Sequence, residues 1–146
     1  MPVRTDAIGK EYPAEVYAIA REKVREYAAA VGESDPIHTD VEAARAAGYG
    51  DVVAPPMFAV VYSAPVMRPA IFDPEVGINF PAMVHGGQEF VWGAPVVAGD
   101  EITTTARVAD ISEREGMGFY VFETTSRNQR GEPVCTARWT NIVRGV

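Results

Sequence analysis

A chain of 146 residues with 47% hydrophobic and 10% aromatic residues is long enough to fold as one compact domain around a real core. A formal charge of −7 and an isoelectric point near 4.8 argue against a protein whose affinity comes from neutralising nucleic-acid phosphates. The single cysteine, Cys135, excludes an internal disulfide and a thiolate zinc centre, and with only His38 and His85 beside it no structural metal is expected.

No run approaches the roughly 18 uninterrupted apolar residues of a membrane span, and the first ten residues lack the apolar stretch of a secretory signal. A cytoplasmic protein without a membrane partner is therefore expected. No repeat of fixed period, low-complexity tract or linker-like shift interrupts the chain, which points to one domain over residues 1–146.

After a short extended piece around Glu15–Ile19, the residues Ala20, Val24, Tyr27, Ala28 and Val31 recur at helical spacing, with Arg21, Glu22, Lys23, Arg25 and Glu26 on the other side. Gly32 suits the end of this amphipathic helix, because glycine adopts the left-handed backbone without steric cost. Pro36 biases Asp35 away from helical angles, so Glu33–His38 reads as a loop. A second helix is predicted over Asp40–Ala47, with Asp40 as its cap and Gly48 as its stop. From Pro55 the chain is apolar almost all round through Met57, Phe58, Ala59, Val60, Val61, Tyr62 and Ala64, as in a helix buried on every side. Pro65 predicts a kink or an end there, since it lacks an N–H and crowds the carbonyl of Val61.

The second half alternates between apolar and polar residues. Strands are predicted at Met83–Trp92, Glu101–Ile111, Phe119–Arg127 and Val134–Val143, with a tight turn at Gly99-Asp100 and hairpin points at Glu115-Gly116 and Arg130-Gly131. In the last strand Cys135, Ala137, Trp139 and Val143 face one way and Thr136, Arg138 and Thr140 the other, a half-buried antiparallel pattern. Trp92 and Trp139 read as packing residues and Cys135 as an inert buried thiol. A buried helix followed by long strands implies an α+β architecture, an antiparallel sheet wrapped around that helix. No phosphate-cradling glycine motif links a strand to a helix, so no nucleotide cofactor is expected.

The stretch with most chemistry is Gly32-Glu33-Ser34-Asp35-Pro36-Ile37-His38. A turn locked by Pro36 can present a carboxylate and an imidazole to one cavity, and an imidazole both takes and gives a proton near neutrality. Read alone, these residues have plainer roles: an isolated histidine is commonly structural, and Glu33 and Asp35 are good capping or loop residues. His85, before Gly86-Gly87, reads as a structural or interface residue, and Met57, Phe58, Tyr62 and Met67 read as core.

Taken together with Asp40, Ala44, Gly48-Tyr49 and Ala54-Pro55-Pro56-Met57, this stretch resembles the signature of the MaoC-like (R)-specific enoyl thioester hydratases and 3-hydroxyacyl dehydratases, written G-D-x-N-P-[ILV]-H with a later A-H-G-M. His85-Gly86-Gly87-Gln88-Glu89-Phe90 and Pro95-Val96-Val97-Ala98-Gly99-Asp100 are similar to a later strand and turn of that family, so the resemblance runs over most of the chain. The Ala-Pro-Pro stretch and Gly9-Lys10-Glu11-Tyr12-Pro13 are similar to its mycolic-acid dehydratase branch, whose heterodimers pair a catalytic subunit with a substrate-holding one.

The resemblance implies a hot-dog fold, a dimer, no cofactor, and a substrate that is an acyl-CoA or acyl-carrier-protein thioester. It implies His38 as the catalytic histidine, Glu33 in the place of the family's aspartate and Asp35 in the place of its asparagine, with either carboxylate as acid/base partner. Pro56 stands where a glycine supplies an oxyanion N–H, which proline lacks, so the role passes to Met57 or Phe58. Pro56, Met57, Phe58, His85 and Gly86 are the residues expected beside the substrate. The net charge offers no attraction to an acidic carrier protein, although Arg21, Lys23 and Arg25 form a local basic patch. Retention of His38 favours an active homodimer; a non-catalytic acyl-binding subunit of a heterodimer and a hot-dog thioesterase are the alternatives.

Overall fold

The computed structural model describes residues 2–146; Met1 lies outside them. Five strands form one antiparallel sheet in the order β1-β3-β4-β5-β2: β1 is Glu11–Ala18, β2 Met83–Trp92, β3 Glu101–Arg114, β4 Met117–Arg127 and β5 Pro133–Arg144. The four helices are α1 (Arg21–Ala30), α2 (Val41–Ala46), α3 (Ala59–Ser63) and α4 (Arg68–Ile71). This is the α+β arrangement expected from the pattern.

The inner face of the sheet carries Ile102, Thr104, Ala106 and Val108 from β3, Tyr120, Phe122 and Thr124 from β4, and Cys135, Ala137, Trp139 and Val143 from β5, all buried. The outer face is polar. There Glu89, Arg138, Glu123 and Arg107 form a ladder of ion pairs at 3.6, 3.6 and 3.1 Å, a solvated surface that contributes little to stability. Buried hydroxyls on the inner face find partners: Thr104 with Ser126 at 2.8 Å, and Thr124 accepting from the Trp139 indole at 2.9 Å.

β2 has the bounds read from the sequence, and β3, β4 and β5 each run slightly further than expected. β1 begins four residues before the expected extended piece. It takes in Pro13, which a central strand would not tolerate, because β1 is an edge strand and its register shifts between Tyr12 and Glu15, where a missing N–H costs no ladder bond. Glu115 and Gly116, both at positive φ (53° and 72°), make the tight turn joining β3 to β4.

The segment from Pro56 to Ile71 lies against the inner face as alternating tight and α turns rather than one helix. Pro65 and Pro69 each sit at the start of such a turn, where no intrahelical N–H is required. Phe58, Ala59, Tyr62, Ser63, Val66, Met67 and Ala70 are buried, but Met57 is 48% exposed, so the segment is open on one side near its start rather than buried all round. Phe58 also meets the edge of Tyr27 from α1 at a 5.2 Å centroid separation.

Candidate active site

Asp35 leads into a one-turn helix, Pro36–His38, by accepting the Ile37 N–H at 3.1 Å. The next turn starts on Asp40, whose carboxylate accepts the Glu42 N–H at 2.9 Å and opens α2. These two caps place His38 at a corner between helical turns. Behind it the chain doubles back: the Val53 N–H donates to Ile37 O at 2.9 Å, and Val52–Ala54 is stitched to Val96–Ala98 by Ala54 N–H to Val96 O (2.8 Å) and Ala98 N–H to Val52 O (3.0 Å). Arg21 grips Asp51 through both carboxylate oxygens at 3.0 and 2.7 Å and ties α1 to this return; the guanidinium holds the Asp51 carboxyl below its ordinary range.

The outcome is a carbonyl, Val53 O, placed 2.6 Å from His38 Nδ1. A carbonyl only accepts, so Nδ1 carries a hydrogen, and in the neutral form of the ring Nε2 is the free acceptor. His38 is 8% exposed, and Nε2 lies 4.0 Å from Oε2 of Glu33, whose side chain is 40% exposed. That gap is too long for a direct hydrogen bond and short enough for both atoms to share one water. The arrangement is an imidazole in the wall of a cavity, with a partly exposed carboxylate and access for water beside it.

The cavity measures about 390 Å³. Its buried wall is apolar, formed by Val53, Phe58, Ala59, Tyr62 and Val134, while Pro56, Trp92 and Gly93 stand at its exposed side. Burial raises the Tyr62 phenol and the neighbouring Cys135 thiol, so neither supplies an anion to this wall. At the Pro55-Pro56-Met57 turn the Phe58 N–H is engaged by Pro55 O at 2.9 Å and the Ala59 N–H by Pro56 O. Among the described residues the Met57 N–H has no acceptor, which leaves it as the donor this turn can offer.

The structure brings His38, Pro56 and Phe58 together around this space, sets Glu33 beside the imidazole but outside the cavity lining, and leaves four other expected residues apart. Asp35 is occupied by the Ile37 N–H and is not on the imidazole. The Met57 side chain is turned outward. His85 lies on β2, packed edge-on to Trp139 at 6.3 Å, and Gly86 sits at the strand's irregularity, where a Cβ would stand 2.5 Å from Ile142 Cδ1. Neither lines the cavity.

The sequence model of the FAS1-like, dehydratase domain region matches residues 6–137. The chain belongs to this family. Among curated relatives of this dehydratase-family chain, a UPF0336 protein from Saccharopolyspora erythraea is 44% identical over 146 residues, covering 99% of this chain and 94% of the relative. A chain of the HadBC (3R-hydroxyacyl-ACP dehydratase) complex from Mycobacterium tuberculosis superposes with a TM-score of 0.82 at 29% identity, covering 96% of this chain and 99% of that one. A MaoC-like dehydratase superposes with a TM-score of 0.86 at 30% identity over 96% of this chain and 43% of its own longer chain. The architecture is thus the hot-dog fold of the MaoC-like dehydratases, as the motif implied.

Local sequence reading missed Trp92, Tyr49 and the Gly93–Val96 stretch, all of which line the cavity. Trp92 is assigned to packing by strand alternation, and nothing in its neighbourhood signals that β2 ends beside Pro56, 36 residues earlier.

Proposed function

We propose that this hot-dog dehydratase-family chain, a single domain over residues 1–146, is an (R)-specific 3-hydroxyacyl thioester dehydratase and trans-2-enoyl thioester hydratase of cytoplasmic fatty-acyl metabolism. The observation that carries the reading is the His38 Nδ1–H to Val53 O bond, which turns Nε2 of a cavity-lining imidazole toward Glu33. In hydration, His38 Nε2 takes a proton from a water shared with Glu33 and the water oxygen bonds to C3. The C2–C3 π pair moves toward the thioester, whose oxygen is met by the Met57 N–H, and the proton returns to C2 through the Glu33 carboxylate. Dehydration is the reverse. No cofactor enters either direction.

The protein acts as a homodimer joined at β2. The two sheet edges differ: β1 is guarded by Glu11, Pro13, an irregular register and Glu15, whereas β2 exposes Val84 (44%), Val91 (70%) and Trp92 (49%) beside its unpaired backbone groups. A second copy supplies the same edge, and antiparallel pairing about a two-fold axis satisfies both. A monomer by light scattering at micromolar concentration contradicts this.

A second reading is favoured by the turn at Pro55-Pro56, which offers one donor N–H, and by the distance and exposure of Glu33. In it the chain holds the acyl group beside a different hot-dog subunit that carries the chemistry, and the complex named for the Mycobacterium tuberculosis neighbour is a precedent for such pairing.

The test is loss of ultraviolet absorbance of trans-2-enoyl-CoA thioesters with purified protein, wild type against His38→Ala. Hydration that the substitution abolishes supports the first reading. A folded dimer inactive at every chain length, and active only after a second hot-dog subunit is added, transfers the assignment to the second. Release of free thiol instead of absorbance loss without cleavage identifies a thioesterase.

A further inference from the structure

The Trp92 indole does more than wall the cavity. Its Nε1–H donates to the Pro56 carbonyl at 3.0 Å, bridging the end of β2 to the turn that opens the central segment. A trans peptide unit is planar, with its C=O and N–H pointing in opposite directions. The carbonyl held by Trp92 belongs to the same peptide unit as the Met57 N–H, so fixing one fixes the other. The Ala59 N–H, from the following turn, holds the same oxygen from a second direction.

Trp92 is itself firmly placed. The next residue, Gly93, lies so close to β5 that a Cβ would stand 2.1 Å from Pro133 O, and its N–H donates to Val134 O at 2.9 Å; Ala94 N–H adds a bond to Pro133 O at 3.0 Å. Phe90 lies against the indole at a 5.3 Å centroid separation. The position of β2 is thereby transmitted through one indole N–H to one peptide plane.

We propose that Trp92 is a positioning residue of the dehydratase site: it orients the Pro56–Met57 peptide so that the Met57 N–H is aimed at the thioester oxygen. The inference rests on the activity proposed above and adds a residue to it. Two prolines in succession leave this turn with a single unengaged N–H, and its aim depends on a side chain 36 residues away as well as on the Ala59 N–H of the following turn.

The test replaces Trp92→Phe, which keeps an aromatic wall without the N–H, and in parallel inserts benzothienylalanine at position 92, which keeps the bicyclic shape with sulfur in place of the N–H. Both are expected to lower kcat for enoyl-CoA hydration about tenfold with KM within twofold, less than the roughly 100-fold of deleting an oxyanion donor outright. The second readout needs no turnover: the infrared stretch of a bound saturated acyl-CoA labelled with ¹³C at its carbonyl. In wild type the band lies below its solution frequency, and both replacements move it back and broaden it. An unchanged band in the benzothienylalanine protein, or a raised KM at unchanged kcat, overturns the positioning role and leaves Trp92 as wall. A Trp92-dependent band in a protein without hydratase activity keeps the positioning role and refutes autonomous catalysis. No bound acyl-CoA in wild type removes both.

Discussion

Glu33→Gln gives the sharpest test of the site because it preserves shape and removes only the carboxylate charge and its capacity to carry a proton. When His38 takes a proton from water, a positive charge appears 4.0 Å from Oε2 of Glu33. Two unit charges at that separation attract by about 4 kcal/mol at an effective dielectric of 20 and about 1 kcal/mol in bulk water. The Glu33 side chain is 40% exposed, so the lower part of that range applies, about 1–2 kcal/mol, or roughly 5- to 30-fold in kcat. Carrying the proton to C2 adds the larger effect of general acid catalysis, about 10²- to 10⁴-fold. Glu33→Gln is therefore expected to reduce kcat at least 100-fold with little change in KM, measured by steady-state hydration of a trans-2-enoyl-CoA. Glu33→Asp, whose carboxylate is drawn back by about one bond of 1.5 Å, should fall between the two. A loss of only 5- to 30-fold that shrinks with added salt means that Glu33 supports the imidazolium without moving the proton. A kcat within twofold of wild type refutes the pairing altogether.

Three further outcomes follow from other parts of the molecule. The Lys10 ammonium at 2.7 Å and the Tyr12 hydroxyl at 2.7 Å hold the Asp73 carboxyl down to about 2 from an ordinary 3.8. A folded-state value below the unfolded one gives stability that is present above about pH 4 and lost as pH falls toward 2; Asp73→Asn should cost roughly 1–2 kcal/mol at pH 7 and almost nothing at pH 2, read from urea midpoints. Gly93→Ala drives a methyl into Pro133 O and forces the backbone apart, which should cost about 1–3 kcal/mol and quench hydration by displacing Trp92; an unchanged midpoint contradicts the close approach. Burial raises the Cys135 thiol, so an aromatic disulfide reagent should leave the native protein unlabelled and modify one thiol per chain only after denaturation.

What was legible in the residues differs between the fold and the site, for a physical reason. Strand β2 was readable to its ends because both periodicity and the following glycine are local signals, and Gly32 and Gly48 mark helix ends through the positive φ they adopt (74° and 97°). The start of β1 was hidden because Pro13 breaks a central strand and not an edge strand, and only the sheet order says which β1 is. At the site, the Pro36 turn made the proximity of Glu33 and His38 readable, but Asp35, three residues before His38, can serve either the imidazole or the turn. The Ile37 N–H decides that choice, since an exposed backbone donor two residues on is the nearer partner. Met57 and Trp92 belong to a third class. Whether the Met57 N–H is engaged depends on what its neighbours bond, and whether Trp92 touches Pro56 depends on the register of β2 against β5, where Trp92 faces Cys135. A one-residue slip of that register would turn the indole to the opposite face and release the peptide. The chemistry of this turn is therefore set by strand pairing far away in the chain, and a motif read along the chain contains the base and its carboxylate but not the donor's aim.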